Sequence, residues 1–206
     1  MGKRRISAGP GPSGLLSGGM SITLPPLTLV LGGAASGKSH YAEHLVAATA
    51  RPMVYIATAQ AFDGEMEAKI ARHQDRRGAG WRTIEAPGDV SPALADADHN
   101  EVVLFDCATM WLSNQLFAQP DPDHPDLSPA EASLFSALTS CAAPVVVVSN
   151  EVGAGIVPEN RLARQFRQAQ GELNQRLAAR SDLVVGVMAG LPLALKGSLP
   201  EVPQCR

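Results

Sequence analysis

Eight consecutive residues, Gly32, Gly33, Ala34, Ala35, Ser36, Gly37, Lys38 and Ser39, fit the pattern G-x-x-x-x-G-K-[ST]. An apolar run over 27–31 precedes them, and a helix-like segment over 39–50 follows. Strand, loop and helix in that order are the setting a phosphate-binding loop requires. The glycines let backbone N–H groups turn toward an anion, and the opening helix adds the positive end of its dipole. In this chemistry Lys38 reaches the β- and γ-phosphates and the Ser39 hydroxyl ligates Mg²⁺. The stretch therefore predicts a site for a nucleoside triphosphate.

Other residues could join it. Asp106 ends the apolar run 102–106, where a carboxylate can hold Mg²⁺ beside the phosphates, directly or through water. It could equally cap the helix expected from residue 108. On a helix predicted over 64–77, Met66, Ile70, His73 and Arg77 share one face, so the imidazole points toward the protein body. Arg72, Gln74, Asp75, Arg76 and Arg77 surround it in the chain. The residues alone leave two readings of His73, a satisfied core histidine or a catalytic one. His40 and His44 are four apart, a spacing that can bind metal, but no third ligand accompanies them and a solvated helix face fits as well. Asn150 and Glu151 follow the apolar run 145–148, at the strand end where ligands bind in open α/β sheets; turning the chain is their alternative role.

These residues need elements to position them. Apolar runs at 27–31, 53–58, 102–106, 145–148 and 183–188 read as strands, with a short strand near 81–85 and a weaker one from 193. Between them fall predicted helices over 39–50, 64–77 and 108–117, a short one opened by Ser91-Pro92, one opened by the capping box Ser128–Glu131, and a long one over 158–180. The long helix carries the stripe Leu162, Phe166, Ala169, Leu173 and Leu177. Strands that are continuous apolar runs, alternating with helices, predict an α/β fold: a mostly parallel sheet covered by helices on both faces, as in RecA-like P-loop proteins.

The 206 residues suit one domain, assigned to 27–206, and with 45% apolar residues but only 4% aromatic ones the core must be aliphatic. A formal charge of −3 without a basic stripe argues against a nucleic-acid partner. Three scattered cysteines, Cys107, Cys141 and Cys205, read as reduced thiols of a cytoplasmic protein, and no apolar run is long enough to span a membrane. Residues 1–26 are rich in Gly, Ser and Pro and are expected to be a disordered extension, with Met20 as an alternative start.

Five blocks together resemble one family. They are GGAASGKS (32–39), YIATAQ (55–60), DGEMEAKIARHQDRR (63–77), WRTIEAP (81–87) and NEVGAGIVPENRLARQFRQAQGELNQRLA (150–178), and the likeness runs from residue 27 to 196. The family is the bifunctional adenosylcobinamide kinase and adenosylcobinamide-phosphate guanylyltransferase of cobalamin assembly. The resemblance implies that ATP or GTP phosphorylates the aminopropanol arm of adenosylcobinamide. GMP from GTP is then joined to that phosphate, with pyrophosphate released, through a GMP–histidine intermediate. The family's histidine falls on His73. Carried over by position, Ala57, Thr58, Ala59, Gln74, Asp75, Arg76, Arg77, Glu85 and Asp106 are further nucleotide contacts, with Ser39 and Asp106 on Mg²⁺. A homotrimer is also implied.

Two departures stand out. Ala35 replaces a residue commonly basic in the family, which implies a lost side-chain contact rather than a lost site. Asp106 replaces a Glu of some relatives, keeping the charge with a shorter reach. A plain kinase without guanylyl transfer is the competing enzyme reading. A motor or nucleic-acid module is disfavoured by the charge, and a GTP switch by the absence of N-K-x-D.

Overall fold

A computed structural model describes residues 21–60, 80–121 and 125–201. The predicted helix over 64–77, with His73 to Arg77, lies outside them. The described strands are β1 (Leu27–Gly32), β2 (Met53–Ala57), β3 (Trp81–Glu85), β4 (Val102–Asp106), β5 (Val145–Asn150), β6 (Leu183–Met188) and β7 (Leu191–Lys196). The described helices are α1 (Lys38–Ala48), α2 (Ser91–Ala95), α3 (Ala108–Phe117), α4 (Ser128–Ser140) and α5 (Arg161–Arg180).

The strands form one sheet in the order β3-β2-β4-β5-β1-β6-β7. Every neighbouring pair is parallel except β6 and β7, which form an antiparallel hairpin. The expected mostly parallel sheet is thus the observed one. Both faces are buried because the strands are apolar at successive positions. On one face Leu29, Val54, Ile56, Val103, Phe105, Val145 and Val147 pack with Leu112, Leu134, Leu173 and Leu177 of α3, α4 and α5. On the other, Val30, Tyr55, Leu104, Val146, Val148 and Val185 pack with Ala42, Leu45 and Val46 of α1. Burying each such aliphatic side chain contributes about 1.5–3 kcal/mol, so the two layers carry the stability of the domain.

Four local expectations are revised. Residues 22–24, counted within the extension, pack on the domain: Leu24 is buried in the α1 layer, and the Ile22 N–H donates to Ala48 O at 3.0 Å. The apolar Ile22 and Leu24 gain more from that layer than the surrounding Ser and Pro would from water. The long helix begins at Arg161 rather than 158, because Asn160 in extended conformation accepts from the Ala163 N–H at 3.1 Å and caps it. Leu162 of its stripe stays exposed, whereas Gln170 and Asn174 are buried. The capping box at Ser128 does not form; Asp126 accepts from the Ser128 N–H instead. Glu131 turns inward to a bidentate ion pair with Arg176 of α5, and Arg176 and Arg180 lie over the Phe135 ring. The last strand starts at Leu191 rather than 193, paired along β6.

The ion pair supplies a test of the packing of α4 on α5. The Glu131 side chain is only 6% exposed, so Arg176→Ala strands a buried carboxylate. Urea unfolding of Arg176→Ala is expected to show a loss of about 2 kcal/mol. Adding Glu131→Gln to that variant should recover much of it, because the stranded charge is then gone.

Candidate active site

The phosphate-binding loop leaves β1 at Gly32 and enters α1 at Lys38. It is a close-packed turn. A side chain on Gly32 would collide with Ser36 Oγ and stand 2.6 Å from the Val187 carbonyl oxygen. Gly37 holds φ 94°, and a Cβ there would stand 3.1 Å from the Cα of Gly190 in the β6–β7 turn. That turn is tied to the loop by the Gly190 N–H, which donates to Ser36 O at 2.8 Å. Ala35 also lies in the left-handed region, at φ 55°. Alternating backbone hands of this kind turn successive N–H groups toward one concavity, the geometry that receives phosphate. Ala35 therefore serves the loop through its backbone. Lys38 folds back so that its Nζ donates to Gly33 O at 3.1 Å, and Ser39 is half-buried on the first turn of α1.

Strand register brings the other described candidates to the same carboxyl edge. Glu85, Ala57 and Asp106 lie side by side across β3, β2 and β4. Alternation along each strand puts all three on the face covered by α1, where the Tyr55 hydroxyl donates to Asp106 Oδ2 at 3.1 Å. Asp106 does not cap α3, which starts from Cys107 without a side-chain cap. Burial pushes the neighbouring Cys107 thiol up to about 11, and the charge of Asp106 adds to that push while Lys38 opposes it.

Thr58, a candidate nucleotide contact, is fully buried, and its hydroxyl is engaged with backbone. It accepts from the Cys107 N–H and donates to the Cys107 carbonyl, both at 2.8 Å. Its side chain thereby clamps the chain leaving β4. Asn114 of α3 donates to Thr58 O at 2.9 Å and to Pro87 O at 2.8 Å, joining the loops after β2 and β3. Ala59 follows in that half-buried loop, and Glu85 is exposed at the sheet's edge. Among the described residues no group of three or more His, Cys, Asp or Glu is arranged for a metal, so His40 and His44 gain no further ligand there.

Sequence reasoning missed a buried polar cluster beneath this edge. Ser149 Oγ donates to Asn174 Oδ1 at 2.7 Å, and Gln170 Nε2 donates to Ser149 Oγ and to Asn174 Oδ1, both at 2.9 Å. Asn174 Nδ2 donates to Asn150 O at 3.0 Å, while the Asn150 N–H donates to Thr109 Oγ1 at 2.7 Å. The signal was two polar residues four apart, Gln170 and Asn174, on the buried side of the long helix.

A parallel sheet with a glycine-rich loop, a lysine and a carboxylate at its carboxyl edge is a P-loop nucleotide-binding fold. A family profile for cobinamide kinase / cobinamide phosphate guanyltransferase matches residues 28–195. The chain is 44% identical over 181 residues to the bifunctional adenosylcobalamin biosynthesis protein CobU of Salmonella typhimurium, covering 82% of this chain and 99% of that one. It is 43% identical over 170 residues to the corresponding CobP protein of Pseudomonas aeruginosa, covering 82% and 96%. This chain belongs to the cobinamide kinase / cobinamide phosphate guanyltransferase family, and it is an enzyme of that family. A solved RadB recombinase, 17% identical with a TM-score of 0.41 over 79% of this chain and 74% of that one, is a distant likeness. No described helix is long and apolar enough to cross a membrane.

The tight contacts at Gly32 give a direct test of the loop. One of the two blocking atoms is backbone, so Gly32→Ala must push the loop away from β6. Calorimetric titration with a nucleoside triphosphate is expected to show binding reduced by at least a hundredfold, with the thermal unfolding midpoint lowered.

Proposed function

We propose that this enzyme performs both reactions on one nucleotide site. The first transfers the γ-phosphoryl group of ATP or GTP to the hydroxyl of adenosylcobinamide. The second transfers GMP from GTP to the resulting phosphate, giving adenosylcobinamide-GDP and pyrophosphate. The observation that carries the reading is the single phosphate loop facing Asp106 across the carboxyl edge, in a chain that is 44% identical to a bifunctional relative along nearly that relative's whole length.

In the kinase step the substrate oxygen bonds to the γ-phosphorus, the bond to the β-phosphate oxygen breaks, and the hydroxyl proton leaves. The loop amides and Lys38 bind and orient the phosphates, so most of the catalysis is positioning and charge stabilisation. Mg²⁺ takes few protein oxygens and keeps waters and phosphate oxygens. Ser39, at the start of α1, and the Asp106 carboxylate on the α1 face fit that requirement. Bound there, the ion would neutralise charge on the phosphates.

In the second step an imidazole nitrogen of His73 attacks the α-phosphorus and pyrophosphate leaves. A phosphate oxygen of the substrate then attacks the same phosphorus and releases the imidazole. Splitting one hard transfer into two easier ones is what a histidine nucleophile would contribute in this reading. Gln74, Asp75, Arg76, Arg77, Ala57, Thr58, Ala59 and Glu85 complete the proposed nucleotide contacts, Thr58 through its backbone. The homotrimer belongs to the same reading. The exposed apolar residues Met188, Leu191, Leu193 and Leu195 on the β6–β7 hairpin supply a surface that self-association would cover.

Lys38→Ala is expected to slow both half-reactions by about a hundredfold, equivalent to about 3 kcal/mol of transition-state stabilisation. Steady-state rates for each half-reaction check this, and an unchanged kinase rate would exclude the loop as the working site. His73→Ala separates bifunctional enzyme from plain kinase. With α-labelled GTP, the wild type should retain an acid-labile label and the variant none, while the variant keeps phosphorylating adenosylcobinamide. A folded variant that still holds the label would assign the nucleophile elsewhere.

A further inference from the structure

We propose that Tyr55 is a positioning residue for phosphoryl transfer: its hydroxyl fixes the Asp106 carboxylate in the orientation that serves Mg²⁺. The inference rests on the reading that Asp106 stands on the metal side of a bound triphosphate.

Three observations support it. First, the bond is placed to set a direction. Tyr55 lies in the middle of β2, level with Leu104 of β4, and Asp106 pairs with Ala57 two residues further on. Alternation puts Tyr55 and Asp106 on the same face of the sheet, the one covered by α1. The tyrosine ring therefore reaches diagonally toward the carboxyl edge, and its hydroxyl donates to Asp106 Oδ2 at 3.1 Å. A donor on one oxygen selects one setting of the aspartate side chain from those its two torsions permit.

Second, the donor is itself held in place. Tyr55 is only 6% exposed, and its ring meets Trp81 of β3 edge-on, with centroids 6.1 Å apart and planes at 84°. Trp81, Tyr55 and Asp106 thus form a line over three adjacent strands, running from the edge of the sheet toward the phosphate loop.

Third, the main chain that carries Asp106 is pinned from the loop after β2. The Thr58 N–H donates to Asp106 O at 3.3 Å, and the Thr58 hydroxyl bonds both the N–H and the carbonyl of Cys107. With the backbone fixed, the side-chain torsions are the motion left to Asp106, and Tyr55 restrains them. A phenylalanine would fill the same aliphatic layer without burying a hydroxyl. What the hydroxyl adds is a bond to the carboxylate, and such outer partners of a metal-side carboxylate set its orientation and the affinity for the ion.

The test is Mn²⁺ binding to the enzyme loaded with the β,γ-imido analogue of GTP, without corrinoid, read from the electron paramagnetic resonance signal of the free ion. Tyr55→Phe should weaken Mn²⁺ binding about tenfold, while metal-free affinity for the analogue shifts less than twofold. Asp106→Asn should weaken Mn²⁺ at least as much. Adding Tyr55→Phe to Asp106→Asn should cost less than twofold more, because Tyr55 acts through that carboxylate. Unchanged Mn²⁺ affinity in Tyr55→Phe, or a loss that adds in full to that of Asp106→Asn, would overturn the assignment. So would an equal loss of metal-free analogue affinity, the mark of a merely structural tyrosine. Asp106→Asn is also the control for the underlying reading. If it binds Mn²⁺ like the wild type, Asp106 is not on the metal side and the assignment falls with that reading. If it loses Mn²⁺ while Tyr55→Phe binds normally, only the role of Tyr55 fails.

Discussion

A parallel sheet whose strands are valine and leucine at successive positions can leave neither face in water, and that need to cover both sides shapes the molecule. Val145 to Val148, all essentially buried, show it most directly: Val145 and Val147 meet one helical layer, Val146 and Val148 the other. With both faces given over to packing, polar chemistry is pushed to the ends of the strands. Each strand entering the carboxyl edge contributes its last one or two residues there: Gly32, Ala57, Glu85, Asp106 and Asn150. The site is the rim left over when the sheet is buried.

A rim made of chain ends is held together by crosslinks rather than by the sheet's own ladder. Thr58 clamps the backbone after β4, Asn114 joins the loops after β2 and β3, and the Ser149–Gln170–Asn174 cluster fixes the end of β5. The Gly190 N–H does the same for the phosphate loop. Each of these is a side chain or backbone donor spent on another segment's backbone, so the rim is preorganised before any ligand arrives. Gln170 Oε1 stays without a hydrogen-bond partner among the described residues, which makes it the weakest joint of the cluster.

Much of this was legible in the residues. Continuous apolar runs gave the strands, alternation with helices gave the parallel sheet, and the glycine-lysine pattern gave the loop. What escaped were matters settled by distant neighbours. Ser128 and Glu131 read as a capping box, but Arg176 lies 45 residues away and offers the buried Glu131 a stronger partner. Gln170 and Asn174 read as interruptions of an apolar stripe because their partner, Ser149, sits on another element. Thr58 read as a ligand contact, and its hydroxyl turned out to be bonded to the main chain of Cys107. Strand order was likewise not written locally: nothing near residue 145 says that β5 enters between β1 and β4.

That insertion governs how the chain can acquire its shape during synthesis. Leu27 of the first strand pairs with Val145, about 120 residues later. At ~5–20 residues per second a nascent chain needs about 6–24 s to supply that partner. β6, the other neighbour of β1, is made later still. The phosphate-loop strand thus leaves the ribosome with neither of its neighbours and waits as a bare apolar edge. A nascent chain of this design carries that edge exposed until β5 and β6 arrive.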